Sequence, residues 1–220
     1  MELTMKLMNK DEHVHIPPAA FPFMTRFYDS LLEVFGFGVA FKQRILDMLH
    51  PNDGDILLDI GVGTGTFLAL AAAALPHSHI IGIDPDRGAL AIAKQKLSRV
   101  RPGIDLYEAI AEQLPIADKS VDVVVSTLVF HHLSRSAKAQ AIREIYRVIR
   151  PGGQFLLVDF GKPVSMLSRI LLFIGSFIDG RDNVQANLEG VLETHLRAAG
   201  FSVGEVAVPY HGVRFLMAKK

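Results

Sequence analysis

Cysteine is absent from the chain, and a disulfide framework, a thiolate metal site and a cysteine nucleophile are excluded with it. Charge of either sign in excess is also missing. The 23 Lys and Arg residues offset 23 Asp and Glu, so no net positive field draws the chain to nucleic acid or to an anionic membrane. A local basic patch stays open. Long hydrophobic runs are lacking too: the greasiest segment, Met166 to Ile178, is about 13 residues and contains Arg169, against roughly 20 for a bilayer span. The opening MELTMKLMNKDEHVHIPP has no apolar core of the kind a secretion signal carries. The expectation is a cytoplasmic protein with a small-molecule partner, no nucleic acid and no membrane span.

What is present reads as one α/β domain. Half of the 220 residues are hydrophobic and 21% are charged, a globular composition in a chain long enough to bury a substantial core. The organising stretch is LLDIGVGTGTF, Leu57 to Phe67. A short apolar run ends in Asp59 and passes at once into Gly61, Gly63 and Gly65, and an Ala- and Leu-rich helix former follows from Leu68 to Leu75. Alternating glycines permit positive φ and let a ligand approach bare backbone. The helix that starts after them points unpaired N–H groups at the same spot, which suits a carboxylate or a phosphate. A dinucleotide fingerprint would want glycine three positions after Gly63; Thr66 stands there, which weakens a nicotinamide reading.

Around this stretch the pattern repeats. His79 to Ile83 reads as a second strand ending at Asp84, Pro85 and Asp86, followed by a helical stripe through Ala89, Leu90, Ala93 and Leu97. An acid at that strand end can accept from both ribose hydroxyls, which favours Asp84, with Asp86 left for the helix N-cap. Ile104 to Ile110, Val121 to Val125 and Gln154 to Asp159 give three more strands, and Ile142, Ile145, Tyr146 and Ile149 mark a helix between the last two, stopped by Pro151, Gly152 and Gly153. Leu188 to Ala199 is the last helix, closed by Gly200, before a hairpin of Phe201 to Val208 and Val213 to Ala218. Residues 1–17 read as a mobile arm in which His13 and His15 are solvated, and residues 18–220 as a single domain with cap helices at 18–50 and an insertion over the site at 161–187. The insertion's wide apolar face fits core packing, a substrate pocket or a homodimer contact.

Three strings carry a resemblance. Asp59-x-Gly61-x-Gly63-x-Gly65, AEQLPIADKSVDVVVSTLVFHHL at 111–133 and RVIRPGGQFLLVDF at 147–160 resemble the signatures of class I S-adenosylmethionine-dependent methyltransferases, nearest to the ubiquinone/menaquinone biosynthesis C-methyltransferase-like branch. The likeness covers about residues 55–160. It implies a three-layer Rossmann-like α/β fold, with a seven-stranded sheet ordered 3, 2, 1, 4, 5, 7, 6 and the last strand antiparallel. It also implies S-adenosylmethionine as cofactor, S-adenosylhomocysteine as product, and a small apolar or aromatic methyl acceptor.

The same resemblance implies roles for particular residues. Asp59 and the backbone of Gly61, Gly63 and Gly65 would hold the methionine portion and Asp84 the ribose. Pro85 and Ile110 would flank the adenine, with the Ala111 N–H offered to the ring, while Ser126 and Thr127 would lie near the sulfonium. Tyr28, of the pair Tyr28-Asp29, would lie near the cofactor. Ile110 departs from the pattern, because relatives carry an acid there for the adenine amino group; Glu112 is the candidate replacement. His131 and His132 stand where a general base is needed if the acceptor must lose a proton. No metal is called for. The rival readings are a cofactor-binding protein without activity and an NAD-dependent oxidoreductase.

Overall fold

The computed structural model describes residues 32–161 and 187–220. The proposed arm, the first cap helix with Tyr28, and most of the 161–187 insertion lie outside the described residues. Seven strands form one sheet: β1 (Ile56–Ile60), β2 (His79–Asp84), β3 (Asp105–Glu108), β4 (Val121–Thr127), β5 (Ile149–Phe160), β6 (Ser202–Glu205) and β7 (Val213–Lys219). Their order is β3-β2-β1-β4-β5-β7-β6. The first five pair in parallel and β7 runs antiparallel to both β5 and β6.

Connection length dictates that direction. Parallel neighbours need a crossover, and α2 (Thr66–Ala74), α3 (Arg87–Leu97) and α4 (Arg135–Val148) supply three of them. The β6–β7 link turns back on itself instead. Tyr210 and Val213 exchange both backbone hydrogen bonds around His211 at φ 49° and Gly212 at φ 85°, the left-handed pair that a tight hairpin requires.

The sheet is covered on both faces, so its central strands are apolar throughout. Leu57, Val123, Val125, Leu156 and Val158 pack on one side with α1 (Val39–Leu49), α2 and α3, while Leu58, Ile60, Val124 and Leu157 pack on the other with α4 and α5 (Val191–Ala199). Burying each Leu, Ile or Val side chain contributes about 1.5–3 kcal/mol.

Two expected elements differ from what is found. The third strand ends at Glu108, whose partner Asp84 is the last residue of β2. Beyond it this edge strand has no neighbour, and Ile110 stands 45% exposed in a loop. Pro151 to Gly153 do not stop a helix ahead of β5 but bulge out inside it: the ladder to β4 jumps from Val121↔Ile149 to Val123↔Gln154. The helix has already ended at Val148.

Candidate active site

The order of strands reverses between β1 and β4, and open α/β sheets bind ligands at the carboxyl ends flanking such a point. Each element named for the site in sequence ends there. The three glycines of the β1–α2 turn all have positive φ, 79° at Gly61, 53° at Gly63 and 79° at Gly65, but their surroundings differ. A Cβ on Gly61 would lie 2.1 Å from Val129 Cγ2, and one on Gly65 3.0 Å from Ala93 Cβ. Those glycines let the turn pack on the post-β4 segment and on α3. At Gly63 a Cβ would meet nothing within 4 Å among the described residues. It is the glycine of the three that opens outward.

Asp84 sits beside it with 5% exposure. Its Oδ2 accepts from Gly63 N at 2.8 Å and its Oδ1 from Asp86 N at 2.8 Å. The carboxylate therefore shapes the glycine turn. Asp86 takes the other acidic role, capping α3 by accepting from Gly88 N and Ala89 N at 2.7 and 3.2 Å, as an N-cap aspartate does.

Asp59 is the last acid before the turn and is 3% exposed. Burial pushes its carboxyl up to about 7, with Lys42 on α1 opposing and the charge of Asp84 adding to the rise. A low-dielectric site disfavours the anion, so near neutral pH this group is poised between its two forms.

The carboxyl end of β4 divides its two polar residues between opposite jobs. Ser126 is fully buried and donates to Ile60 O at 3.0 Å, so its hydroxyl ties β4 to β1. Thr127 Oγ1 is buried and has no hydrogen-bond partner. Leu128 then takes φ 57°, a left-handed conformation that costs a branched L-residue roughly 1–2 kcal/mol. It turns the chain into a short 3-10 helix, Phe130–His132.

That turn is held by a carboxylate on the neighbouring strand. Asp159, 2% exposed near the end of β5, accepts through Oδ2 from Val129 N at 3.1 Å and His131 N at 3.3 Å. Its Oδ1 faces His131 Nδ1 at 3.0 Å, Phe160 N at 2.7 Å and Asn187 Nδ2 at 3.1 Å. Burial works to raise its pKa, but the His131 ring and the N–H donors outweigh it and hold the carboxyl below its ordinary value. An ionised carboxylate only accepts, so His131 Nδ1 carries a proton. The two histidine rings lie 4.0 Å apart, His131 buried and His132 half-buried.

Pro85, directly after β2, and the loop from β3 to β4 carry the remaining candidates. Pro85 is half-buried, Ile110 exposed, Ala111 buried and Glu112 half-buried. Arg147 on α4 braces this loop, donating to Leu114 O, Ile116 O and Asp118 Oδ1, while Glu144, which also pairs with Arg147, accepts from Leu114 N. Asp159, Asn187 and Lys42 were not singled out from sequence. Asp159 had a readable signal: like Asp59 and Asp84, it is an acid at the carboxyl end of a buried strand. Asn187 and Lys42 had none.

A seven-stranded sheet in this order, with a glycine turn and a buried acid meeting at its reversal point, defines a doubly wound α/β domain with a ligand crevice at the carboxyl ends of its strands. Comparison with known proteins names it. A family model described as a methyltransferase domain matches residues 58–157. The ubiquinone/menaquinone biosynthesis C-methyltransferase of Rubrivivax gelatinosus is 35% identical over 138 residues, covering 62% of this chain and 52% of its own length. The demethylmenaquinone methyltransferase of Thermus thermophilus is 28% identical over 196 residues, covering 80% and 88%. The crystal structure of an S-adenosylmethionine-dependent methyltransferase from Aquifex aeolicus superposes with a TM-score of 0.68 at 20% identity, covering 90% of this chain and 97% of that one. The chain carries a methyltransferase domain over residues 58–157 and resembles the ubiquinone/menaquinone C-methyltransferase branch of the class I S-adenosylmethionine-dependent methyltransferases. It spans about half the length of the Rubrivivax relative.

Proposed function

We propose that the protein transfers a methyl group from S-adenosylmethionine to a small apolar or aromatic acceptor, and more finely to a ring carbon of a quinol-type molecule. The observation that carries the reading is the meeting of the Gly63 turn and the buried Asp84 carboxylate, which accepts from Gly63 N, at the reversal point of the sheet. The finer statement draws on the printed names of the Rubrivivax and Thermus relatives.

Two features of the chain fit this cofactor. Thr127 Oγ1 is a buried polar atom without a partner at the carboxyl end of β4, and Gly63 leaves backbone bare beside Asp84. In this reading Asp59 and the Gly61 to Gly65 backbone hold the methionine portion, while Asp84 accepts from the ribose hydroxyls. Pro85 and Ile110 flank the adenine, with Ala111 N–H on the ring and Glu112 within its own loop as the acceptor for the amino group. Tyr28 is part of the proposal from sequence alone. S-adenosylmethionine supplies a methyl already activated on a sulfonium and departs as S-adenosylhomocysteine.

What the chain must add is placement and dryness. Holding the acceptor in line with the methyl supplies a large share of the rate. A quinol must also lose a hydroxyl proton as its ring carbon takes the methyl from sulfur, and the hydrogen on that carbon then leaves while the oxygen is reprotonated, restoring the aromatic ring; His131, oriented by Asp159, is the base we assign for the first proton, and His132 is the second candidate. A nicotinamide cofactor gains no support, since the sheet closes with an antiparallel hairpin where a further helical crossover would be expected.

The test is transfer of radiolabel from methyl-tritiated S-adenosylmethionine to a short-chain demethylated naphthoquinol kept reduced, with malonate esters and ethanolamine phosphate as alternative acceptors. Label in the naphthoquinol supports the full proposal, and label in another acceptor overturns the ring-carbon assignment. Heat of S-adenosylhomocysteine binding without transfer to any of them favours the inactive binding protein, for which the missing acid at Ile110 is the one supporting observation.

A further inference from the structure

Asn187 is buried to 3% and makes an unfavourable bargain if its purpose is structural. Its Nδ2 gives one hydrogen bond, to Asp159 Oδ1 at 3.1 Å, while its Oδ1 is buried with no partner. A buried unpaired carbonyl is costly, and each such group in a native fold calls for an explanation. The side chain lies beside a small cavity lined by Leu157, Leu192 and Leu216 together with Asp159, Glu193 and Arg214. The amide could not be flipped to satisfy Oδ1, because that would set its oxygen against the Asp159 carboxylate.

We infer that Asn187 is a positioning residue: its amide fixes the Asp159 carboxylate in the orientation that holds the His131 ring, with Nδ1 protonated, at the carboxyl end of β4. Asp159 Oδ1 receives Asn187 Nδ2, Phe160 N and His131 Nδ1 together, and Oδ2 receives the two backbone donors of the post-β4 turn. The backbone donors set where the carboxylate sits. Asn187 supplies the neutral donor that disperses its charge next to the ring, and so limits how strongly Asp159 favours a fully protonated imidazole. A base that releases its proton after each turnover needs that limit.

Among the described residues, the charged and titratable groups around this pair are Asp159 from β5, His132 from the same turn, Lys138 and Arg135 from α4, and Glu193 from α5 and Arg214 from β7, which line the cavity beside Asn187. Lys138 is fully buried and donates from Nζ to Leu133 O at 2.7 Å. Asp159 works to hold Lys138 charged and Arg135 works against it.

The inference rests on the methyltransferase reading for its purpose but not for its measurement. Asn187→Leu removes the donor and the orphaned oxygen at once, and its melting temperature is expected to equal or exceed that of the unchanged chain. Long-range proton–nitrogen NMR should show the His131 titration midpoint raised by about half a unit or more, because a carboxylate stripped of a neutral donor holds the imidazolium more tightly. Asp159→Asn should move the midpoint the other way. A lowered melting temperature in Asn187→Leu with the midpoint unchanged would overturn the inference and leave Asn187 a packing residue. Absence of S-adenosylhomocysteine binding by the unchanged chain would instead refute the proposed function, and the histidine titration would stand apart from it.

Discussion

Raising or lowering pH across neutrality should change cofactor affinity through Asp59. Burial, with Asp84 nearby, holds its carboxyl at about 7 against 3.8 for an exposed aspartate, Lys42 notwithstanding. The folded state thus binds more protons than the unfolded one between these values, and the group's contribution to stability is full below about 4 and is lost as pH rises through about 7. A cationic methionine portion placed beside Asp59 reverses the preference, because it selects the carboxylate. If only the ionised form binds, the competent fraction is about three quarters at pH 7.5 and about one thirtieth at pH 5.5, a loss of roughly twentyfold, or about 1.8 kcal/mol. The assay is calorimetric titration with S-adenosylhomocysteine at both pH values, in two buffers of different ionisation enthalpy. The apparent heat should differ between buffers near pH 7, reporting proton release, and Asp59→Asn should abolish both the buffer effect and the slope. A wild-type affinity flat across this range, or a slope that survives in Asp59→Asn, would refute the placement of Asp59 against the ligand's charge.

Other perturbations separate residues that the motif groups together. Gly61→Ala drives a Cβ into Val129 Cγ2 and should lower stability by about 1–3 kcal/mol in a denaturant melt; Gly63→Ala should cost about 1 kcal/mol for its φ alone and chiefly weaken S-adenosylhomocysteine binding, so equal losses in both assays would argue against the division. Ile110→Asp places a carboxylate on an exposed side chain position beside the proposed adenine edge and should tighten binding by about threefold to tenfold, read by calorimetry; weakened binding would put the adenine elsewhere. Arg147→Ala frees the loop from Leu114 to Asp118 and leaves Glu144 without its main partner. It should cost about 1–3 kcal/mol of stability, and faster backbone hydrogen exchange confined to that loop would locate the loss.

The alternation of strand and helix was legible because each parallel strand is a short apolar run followed by a helical stripe, and because Asp59, Gly61, Gly63 and Gly65 fix where the first crossover begins; the order of the strands followed only from the resemblance to class I methyltransferases. The split between Asp84 and Asp86 was legible as well, since an N-cap is a local matter of two or three residues. What could not be read was everything set by contacts distant in sequence. Gly61 and Gly65 look like Gly63 in a string of letters, yet one answers to Val129 and the other to Ala93. Ser126 and Thr127 are neighbours whose roles differ only through strand parity. Pro151 to Gly153 carry the same letters whether they end a helix or bulge from a strand, and the register with β4 decides between these. His131 was visible as one of a pair of histidines, but its anchor lies 28 residues on at Asp159 and that anchor's own support at Asn187.

The claim that a sulfonium nucleoside lies across the tips of β1, β2 and β4 is tested most directly by a crystal structure of the protein grown with S-adenosylhomocysteine. Density for the ribose within hydrogen-bonding distance of Asp84, with the amino-acid portion over Gly63, is the expected result. Density elsewhere on the molecule, or a ribose whose hydroxyls do not reach Asp84, would contradict it.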